Sequence, residues 1–233
     1  MLEPFEIEAL TLSFKVAVTA TVIGLPLAVW VAYFLSRYQF RGKFIVETIV
    51  HVPLVVPPVV VGFALLVLFT PVSGFGRWLS DMGLNPAFTW VAAAIASGVM
   101  AFPLMVRSIR QAFDAEPREY GEVAQTLGVD GLARFFRVSL PLAAPGLISA
   151  TVLGFARAIG EFGATITFAA NIPGLTQTLP LALYSAAQSP GGEIAAFRLA
   201  LLSLIPAIGS LLVAEWLQRR TPGHGQGREK AQS

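Results

Sequence analysis

Arg157 and Glu161 are the residues of this chain best placed to handle a charge. They stand four positions apart near the end of a long apolar run, so a continuous helix would set them one turn apart on one face. An ionisable side chain inside such a run marks function by default, because burying its charge in hydrocarbon is costly. Two roles are open to the pair. It can neutralise itself and only pin the helix, or Arg157 can offer positive potential to an anion. Thr165, Thr167 and Asn171 follow as neutral donors, although each threonine could equally spend its hydroxyl on a helix carbonyl.

Other chemistry is excluded by what the sequence lacks. Cysteine is absent, which removes disulfides, thiol catalysis and cysteine metal sites. Two histidines, His51 and His224, are too few for a histidine metal cluster, and His51 beside Pro53 reads as an interface residue. Gly42-Lys43 lacks both the earlier glycine and the following Ser or Thr of a phosphate-binding loop, so ATP chemistry cannot be done here. No His-Glu-x-x-His, Gly-x-Ser-x-Gly or paired-aspartate motif occurs. The sequence implies no catalytic residue, no metal and no cofactor. The formal charge is only +2 and the basic residues gather at the ends of apolar runs, which argues against a nucleic-acid partner.

The elements that position Arg157 and Glu161 must be membrane helices. Of 233 residues, 55% are hydrophobic and 13% charged, about half the charge that a soluble domain carries. Uncharged runs at 16–36, 48–76, 82–106, 138–156 and 199–214 each approach or exceed the roughly 20 residues needed to cross a bilayer. The last becomes adequate from Ile194 if Arg198 snorkels to the headgroups. Residues 179–187 are too short to cross and are expected as a short helix at the outer surface or dipping partway in. No cleavable leader is expected, since the acidic start (Glu3, Glu6, Glu8) runs into a full span. Prolines interrupt the runs at Pro26, Pro53, Pro57, Pro58, Pro103, Pro141 and Pro145, and membrane helices tolerate them where neighbours or water satisfy the freed carbonyls.

One polar interruption, 114–139, looks folded in its own right. Asp114 and Glu116 precede Pro117 and Glu119 follows, acids that suit a helix start. Val123, Ala124 and Leu127 are expected on one face of that helix, and Gly128 falls where a left-handed C-cap is needed. Asp130 can cap a second short helix carrying Leu132, Phe135 and Phe136, and Ser139 with Leu140-Pro141 opens the next span. Gly121, Ala124 and Gly128 would leave the turn bare for a close-packed partner, with Glu122 as a single orienting charge.

Glu122-Val123-Ala124, three residues, Gly128, nine residues, then Val138-Ser139-Leu140-Pro141 resembles the signature that permease subunits of bacterial ABC importers present to their ATP-hydrolysing partner. Val123 and Val138 stand where Ala and Ile are usual, both conservative departures. His51 to Gly62, with Pro57-Pro58 at its centre, is similar to the molybdate permeases and less closely to the sulfate permeases. So are Phe155 to Thr165, containing Arg157, Gly160, Glu161, Gly163 and Thr165, and Asn171-Ile172-Pro173-Gly174. The resemblance covers about 13–219. It implies an all-α integral membrane protein of about five transmembrane helices, with short cytoplasmic coupling helices and a short periplasmic-side helix. It also implies an ATP-driven importer of a tetrahedral oxyanion, molybdate or tungstate, in the bacterial inner membrane. Its partners would be a second copy of the chain, an ATP-binding cassette ATPase dimer on the cytoplasmic side, a periplasmic oxyanion-binding protein and membrane lipid. Glu122, Ala124, Gly128, Leu140 and Pro141 would couple to the ATPase. Pro57, Pro58, Arg157, Gly160, Glu161, Gly163, Thr165 and Asn171 would line the path. A sulfate or thiosulfate permease is the alternative. An ion-coupled secondary transporter fits less well, because such proteins carry several intramembrane acids and Glu161 is the only candidate here, and an intramembrane enzyme lacks its motif.

The chain reads as one transmembrane domain, 1–220, followed by a glycine- and charge-rich tail, 221–233, expected to be disordered. Arg and Lys cluster at 37–43, 107–137 and 219–230, which by the positive-inside rule places those segments in the cytoplasm, the C-terminus with them and the N-terminus outside. In spheroplasts, an impermeant thiol reagent is expected to label Gln188→Cys and to reach Arg41→Cys only after lysis. Label on position 188 that appears only after lysis would overturn the five-span arrangement.

Overall fold

A computed structural model describes residues 2–220, and the tail expected to be disordered lies outside the described residues. Every regular element among them is a helix. The first, α1 (Pro4–Arg37), begins with proline at its opening turn, and the Glu3 N–H donates to Glu6 Oε2 at 2.8 Å. The acidic start is therefore helix rather than a lead-in. At about 1.5 Å per residue α1 is about 51 Å long, well beyond the roughly 30 Å hydrocarbon core. Arg198 fixes the overhanging end, pairing with Glu3 at 2.7 Å and with buried Glu6 at 2.8 Å.

The run at 48–76 is not one helix. It divides into α2 (Lys43–Val55) and α3 (Pro58–Phe69), bent by 116°. Pro58 has no N–H to donate and biases Pro57 out of the helical region, so α2 stops and α3 restarts with Pro58 in its first turn. A short helix, α4 (Gly74–Asp81), is capped by Ser73, whose Oγ accepts the Gly76 N–H at 2.8 Å. The next span, α5 (Trp90–Asp114), starts eight residues later than the apolar run suggested. Gly83 at φ +76° and the Thr89 cap, accepting from the Val91 N–H at 3.2 Å, hold the approach out of helix.

The polar interruption forms α6 (Arg118–Thr126), α7 (Gly131–Arg134) and a π-helical turn (Phe135–Ser139). Leu140-Pro141 lies in α8 (Leu140–Leu142), and α9 (Ala144–Ile159) leaves that foot at 71°. The span expected from 138 thus starts at Ala144, because Pro145 fits only a first turn. Then come α10 (Gly163–Phe168), α11 (Leu179–Gln188) and α12 (Glu193–Arg220). As expected, α11 is too short to cross. It is held to α1 where Ser13 Oγ accepts the Leu179 N–H at 2.6 Å, both residues buried. Among the described residues three helices (α1, α5, α12) are long and apolar enough to span unbroken, or up to five spans exist if each bent pair counts as one.

Helices α1, α5 and α9 form the core through a seam of small residues, Ala17, Ala20, Ala28 and Ala32 of α1 meeting Met105 and Ile109 of α5 and Ala150 and Ala158 of α9. Small residues let backbones approach where no hydrophobic force separates helix from lipid. A second cluster packs α3 and α10 against α5 through Val61, Ala93, Ala96, Met100, Ala164 and Phe168. The outer faces of α1, α2 and α12 are exposed and apolar, as at Val22, Trp30, Ile49, Val55, Phe197 and Ile205.

Candidate functional site

The break between α2 and α3 meets the break between α9 and α10. A Cβ on Gly62 would lie 2.5 Å from the Ala164 carbonyl oxygen, and one on Gly163 would lie 2.8 Å from Pro58 Cβ. Glycine is required at both, because the backbones of α3 and α10 cross too closely for any side chain. The break after Val55 and the break after Ile159 therefore lie side by side.

Arg157 lies in the last turn of α9 and Glu161 inside the break that follows, so the two do not share a continuous helix. Gly160 ends α9, and α10 restarts at Gly163. Arg157 Nη1 lies 2.6 Å from Glu161 Oε2, while Glu161 Oε1 accepts the Ala164 N–H at 2.8 Å. The carboxylate is buried, with 1% of its side chain exposed against 28% for Arg157. The cation suits its helix end, in the last turn of α9, and the anion lies two residues ahead of α10. Glu161 thus has a structural task that the spacing did not reveal, since it satisfies a backbone donor freed by the break. Both roles foreseen for Arg157 stay compatible with its geometry, as it is paired and still partly accessible.

The neutral donors are placed differently from the expectation. Thr167 spends its hydroxyl on the Gly163 carbonyl at 3.0 Å. Asn171 donates to Ser185 Oγ at 2.8 Å and accepts from Gln177 Nε2 at 2.9 Å, which ties the loop to α11. Thr165 is fully buried, and its hydroxyl has no hydrogen-bond partner among the described residues. None of the three offers a free donor at an open surface. Pro57 and Gly160 are exposed and Arg157 partly so, which makes these the accessible members of the set, whereas Pro58 and Gly163 support the crossing.

At the polar end, Gly128 has φ +74° as its position demanded. The Gly128 N–H donates to Gln125 O at 3.0 Å and the Val129 N–H to Ala124 O at 2.8 Å, the Schellman closure of α6. The face of α6 differs from the expectation. Ala124 is buried at 6% exposure and a side chain on Gly121 would run into the Arg134 guanidinium, so both seat the helix on its own chain instead of on a partner. Glu122, Tyr120, Val123 and Leu127 point outward, Leu127 being 75% exposed. Asp130 takes the cap position of α7 but makes no side-chain cap bond. Pro141 is exposed in the bend, and with Tyr120, Val123, Leu127, Val138 and Leu142 it lines an apolar groove of about 420 Å³.

Glu116 was missed by the sequence reading, which treated it as a helix-start acid. Its buried carboxylate bonds Arg37, lies 4.0 Å from Arg134 Nη2 and accepts from Ser139 Oγ at 3.3 Å. An acid beside a proline in an arginine-rich loop was the available signal, but Arg37 is 79 residues away.

Broken apolar helices around a charged break, with a folded polar loop at the opposite reach of the core, describe the membrane component of a transporter. The profile of the binding-protein-dependent transport system inner membrane components matches residues 24–222, and this chain belongs to that family. It is 47% identical over 216 residues to the molybdenum transport system permease protein ModB of Haemophilus influenzae, covering 92% of this chain and 94% of that one. ModB of Escherichia coli K12 is also 47% identical, over 215 residues, with the same coverage. The sulfate transport system permease protein CysT of Salmonella typhimurium is 31% identical over 229 residues, 95% of this chain and 81% of that one. Among solved structures, a bacterial ABC transporter involved in the import of the acidic polysaccharide alginate superposes with a TM-score of 0.71 at 18% identity, covering 95% and 82%. The MetNI methionine ABC transporter gives 0.69 at 19% identity, covering 94% and 98%. The likeness to these solved structures shows the fold, an all-helical one.

The double task of Glu161 sets an order among its variants. Glu161→Gln keeps an oxygen for the Ala164 N–H, whereas Glu161→Ala leaves that donor buried and unpaired, at a cost of about 1–3 kcal/mol. The Ala variant is therefore expected to unfold in detergent at a lower temperature than the Gln variant. Equal midpoints would remove the cap from the account.

Proposed function

We propose that this chain is the transmembrane permease subunit of an ATP-driven importer of a tetrahedral oxyanion, molybdate or tungstate in preference to sulfate. The single observation that carries the substrate is the gap between 47% identity to molybdenum permeases and 31% to a sulfate permease, each over more than nine-tenths of this chain. Two copies would enclose the path, since the three unbroken helices and two bent pairs among the described residues are few for a pore within one chain. The break at Pro57 and Gly160, with Arg157 beside it, lies on that path. ATP hydrolysis belongs to a separate ATPase dimer that grips the groove between α6 and Pro141, with Glu122 orienting and Gly128 closing the helix. A periplasmic binding protein delivers the anion to the opposite face, where α11 and the N-terminus lie, leaving the C-terminus in the cytoplasm. Closure of the motor rocks α6 and turns the path from inward- to outward-facing.

Vesicles containing this chain, its ATPase and its binding protein are expected to accumulate molybdate only with ATP inside the ATPase compartment. Tungstate should compete and equimolar sulfate should not. Accumulation driven by an ion gradient without the ATPase would contradict the reading, and equal competition by sulfate would move the substrate to the alternative.

A further inference from the structure

We infer that Glu116 is a positioning residue that carries displacement of the α6 helix into the three-helix core, and this rests on the transport reading above. Three features of its surroundings support the assignment. First, Glu116 sits where the ends of the core converge. Arg37 is the last residue of α1, Glu116 itself follows the end of α5 by two positions, and Ser139 is the buried foot from which α8 and α9 depart. All three meet at one carboxylate with 1% side-chain exposure. Second, α6 reaches that carboxylate through one side chain. The Arg134 guanidinium fills the space that a side chain at Gly121 of α6 would need, and its Nη2 lies 4.0 Å from Glu116 Oε1. Third, the same end of α5 is braced by a separate set of contacts. Arg110 pairs with Glu47 of α2 at 2.9 Å and with Asp114 at 3.5 Å, and Ser36 donates to Asp114 at 2.6 Å. The helix ends therefore stay fastened without Glu116, which makes its contact with the α6 side an additional link rather than the sole structural tie.

The physical argument is one of unequal alternatives. Two cations, Arg37 and Arg134, share a single buried anion, and both Nε atoms are buried without partners among the described residues. If α6 moves and draws Arg134 away, the buried carboxylate loses one of its two cations and its balance shifts to Arg37. It must follow Arg134 or take up more of Arg37, whose guanidinium lies 6.0 Å from the Tyr33 ring of α1. Either response moves a core helix end relative to α6. A neutral isostere at 116 keeps the packing and a hydrogen bond but releases the two arginines.

The test uses the full complex of chain, ATPase and binding protein in vesicles, with molybdate import and ATP hydrolysis measured together. Glu116→Gln is expected to assemble and hydrolyse ATP as the wild type does while moving at least about fivefold less molybdate per ATP, the size of coupling change that such networks show. Glu116→Asp, which keeps the charge, should recover most of that ratio, and Arg37→Gln should lower it as Glu116→Gln does. An unchanged import-to-hydrolysis ratio in both neutral variants would overturn the inference. So would loss of assembly in both, which makes the cluster structural only. A wild-type complex that imports nothing sinks the transport reading and this inference with it, whereas wild-type import beside an unchanged Glu116→Gln ratio sinks this inference alone.

Discussion

Hydrocarbon offers no hydrogen bonds, so every interruption of a membrane helix must be covered by protein or by a water-filled cavity. Among the described residues the helices are interrupted at Val56-Pro57, at the bend before Ala144 and at Gly160 to Phe162, and much of the remaining architecture follows from covering the first and the last of these. Those two breaks are set against each other, which requires bare backbone at Gly62 and Gly163. The Ala164 N–H released by the last break is taken by Glu161, and that buried carboxylate is in turn balanced by Arg157. Phe162, inside the break, packs on Tyr184 of α11 with ring centroids 5.1 Å apart, and α11 is itself anchored to α1 through Ser13. A charge pair in this position is a consequence of breaking the helix, and it leaves one partly exposed arginine beside exposed Gly160. A fold that needed only to span lipid would have no reason to accept these costs.

The opposite end of the core shows a different solution to a similar problem. The loop that carries α6 emerges among arginines from three distant segments. Glu116, Asp114 and Glu47 distribute their charges so that the ends of α1, α2, α5 and α9 remain close together. α6 then lies on this base through small residues, Gly121 and Ala124, and turns Tyr120, Val123 and Leu127 outward beside Pro141. An exposed apolar face on an otherwise polar loop is a surface suited to a protein partner.

What was legible in the sequence was local. Gly128 could be assigned a left-handed cap because the helix pattern ended beside it, and α11 could be judged too short to cross by counting residues. The Pro57-Pro58 pair marked an interruption, although neither its 116° bend nor its meeting with Gly163 could be inferred, because those depend on a segment a hundred positions on. Hydropathy placed the apolar runs but missed helix ends where caps outweigh composition, as at Pro4, Thr89 and Pro145. The inward turn of Ala124 and the hub at Glu116 depend on Arg134 and Arg37, and no periodicity connects an acid to a cation 79 residues away. For the same reason, the pairing of Arg157 with Glu161 was visible as spacing while the cap on Ala164 was not.

The claim on which the account turns is that the covered break faces an aqueous path rather than lipid. Because the native chain has no cysteine, a single Gly160→Cys variant can report on it, and a Cβ at that position meets nothing closer than the Ala156 carbonyl at 3.7 Å. The measurement is the rate at which this thiol reacts, in the assembled complex, with a small water-soluble anionic reagent and with a membrane-soluble neutral one, with and without molybdate during ATP turnover. The account predicts reaction with the anionic reagent, slowed when molybdate is in transit. Reaction with the membrane-soluble reagent alone, indifferent to molybdate, would place Gly160 against lipid and contradict it.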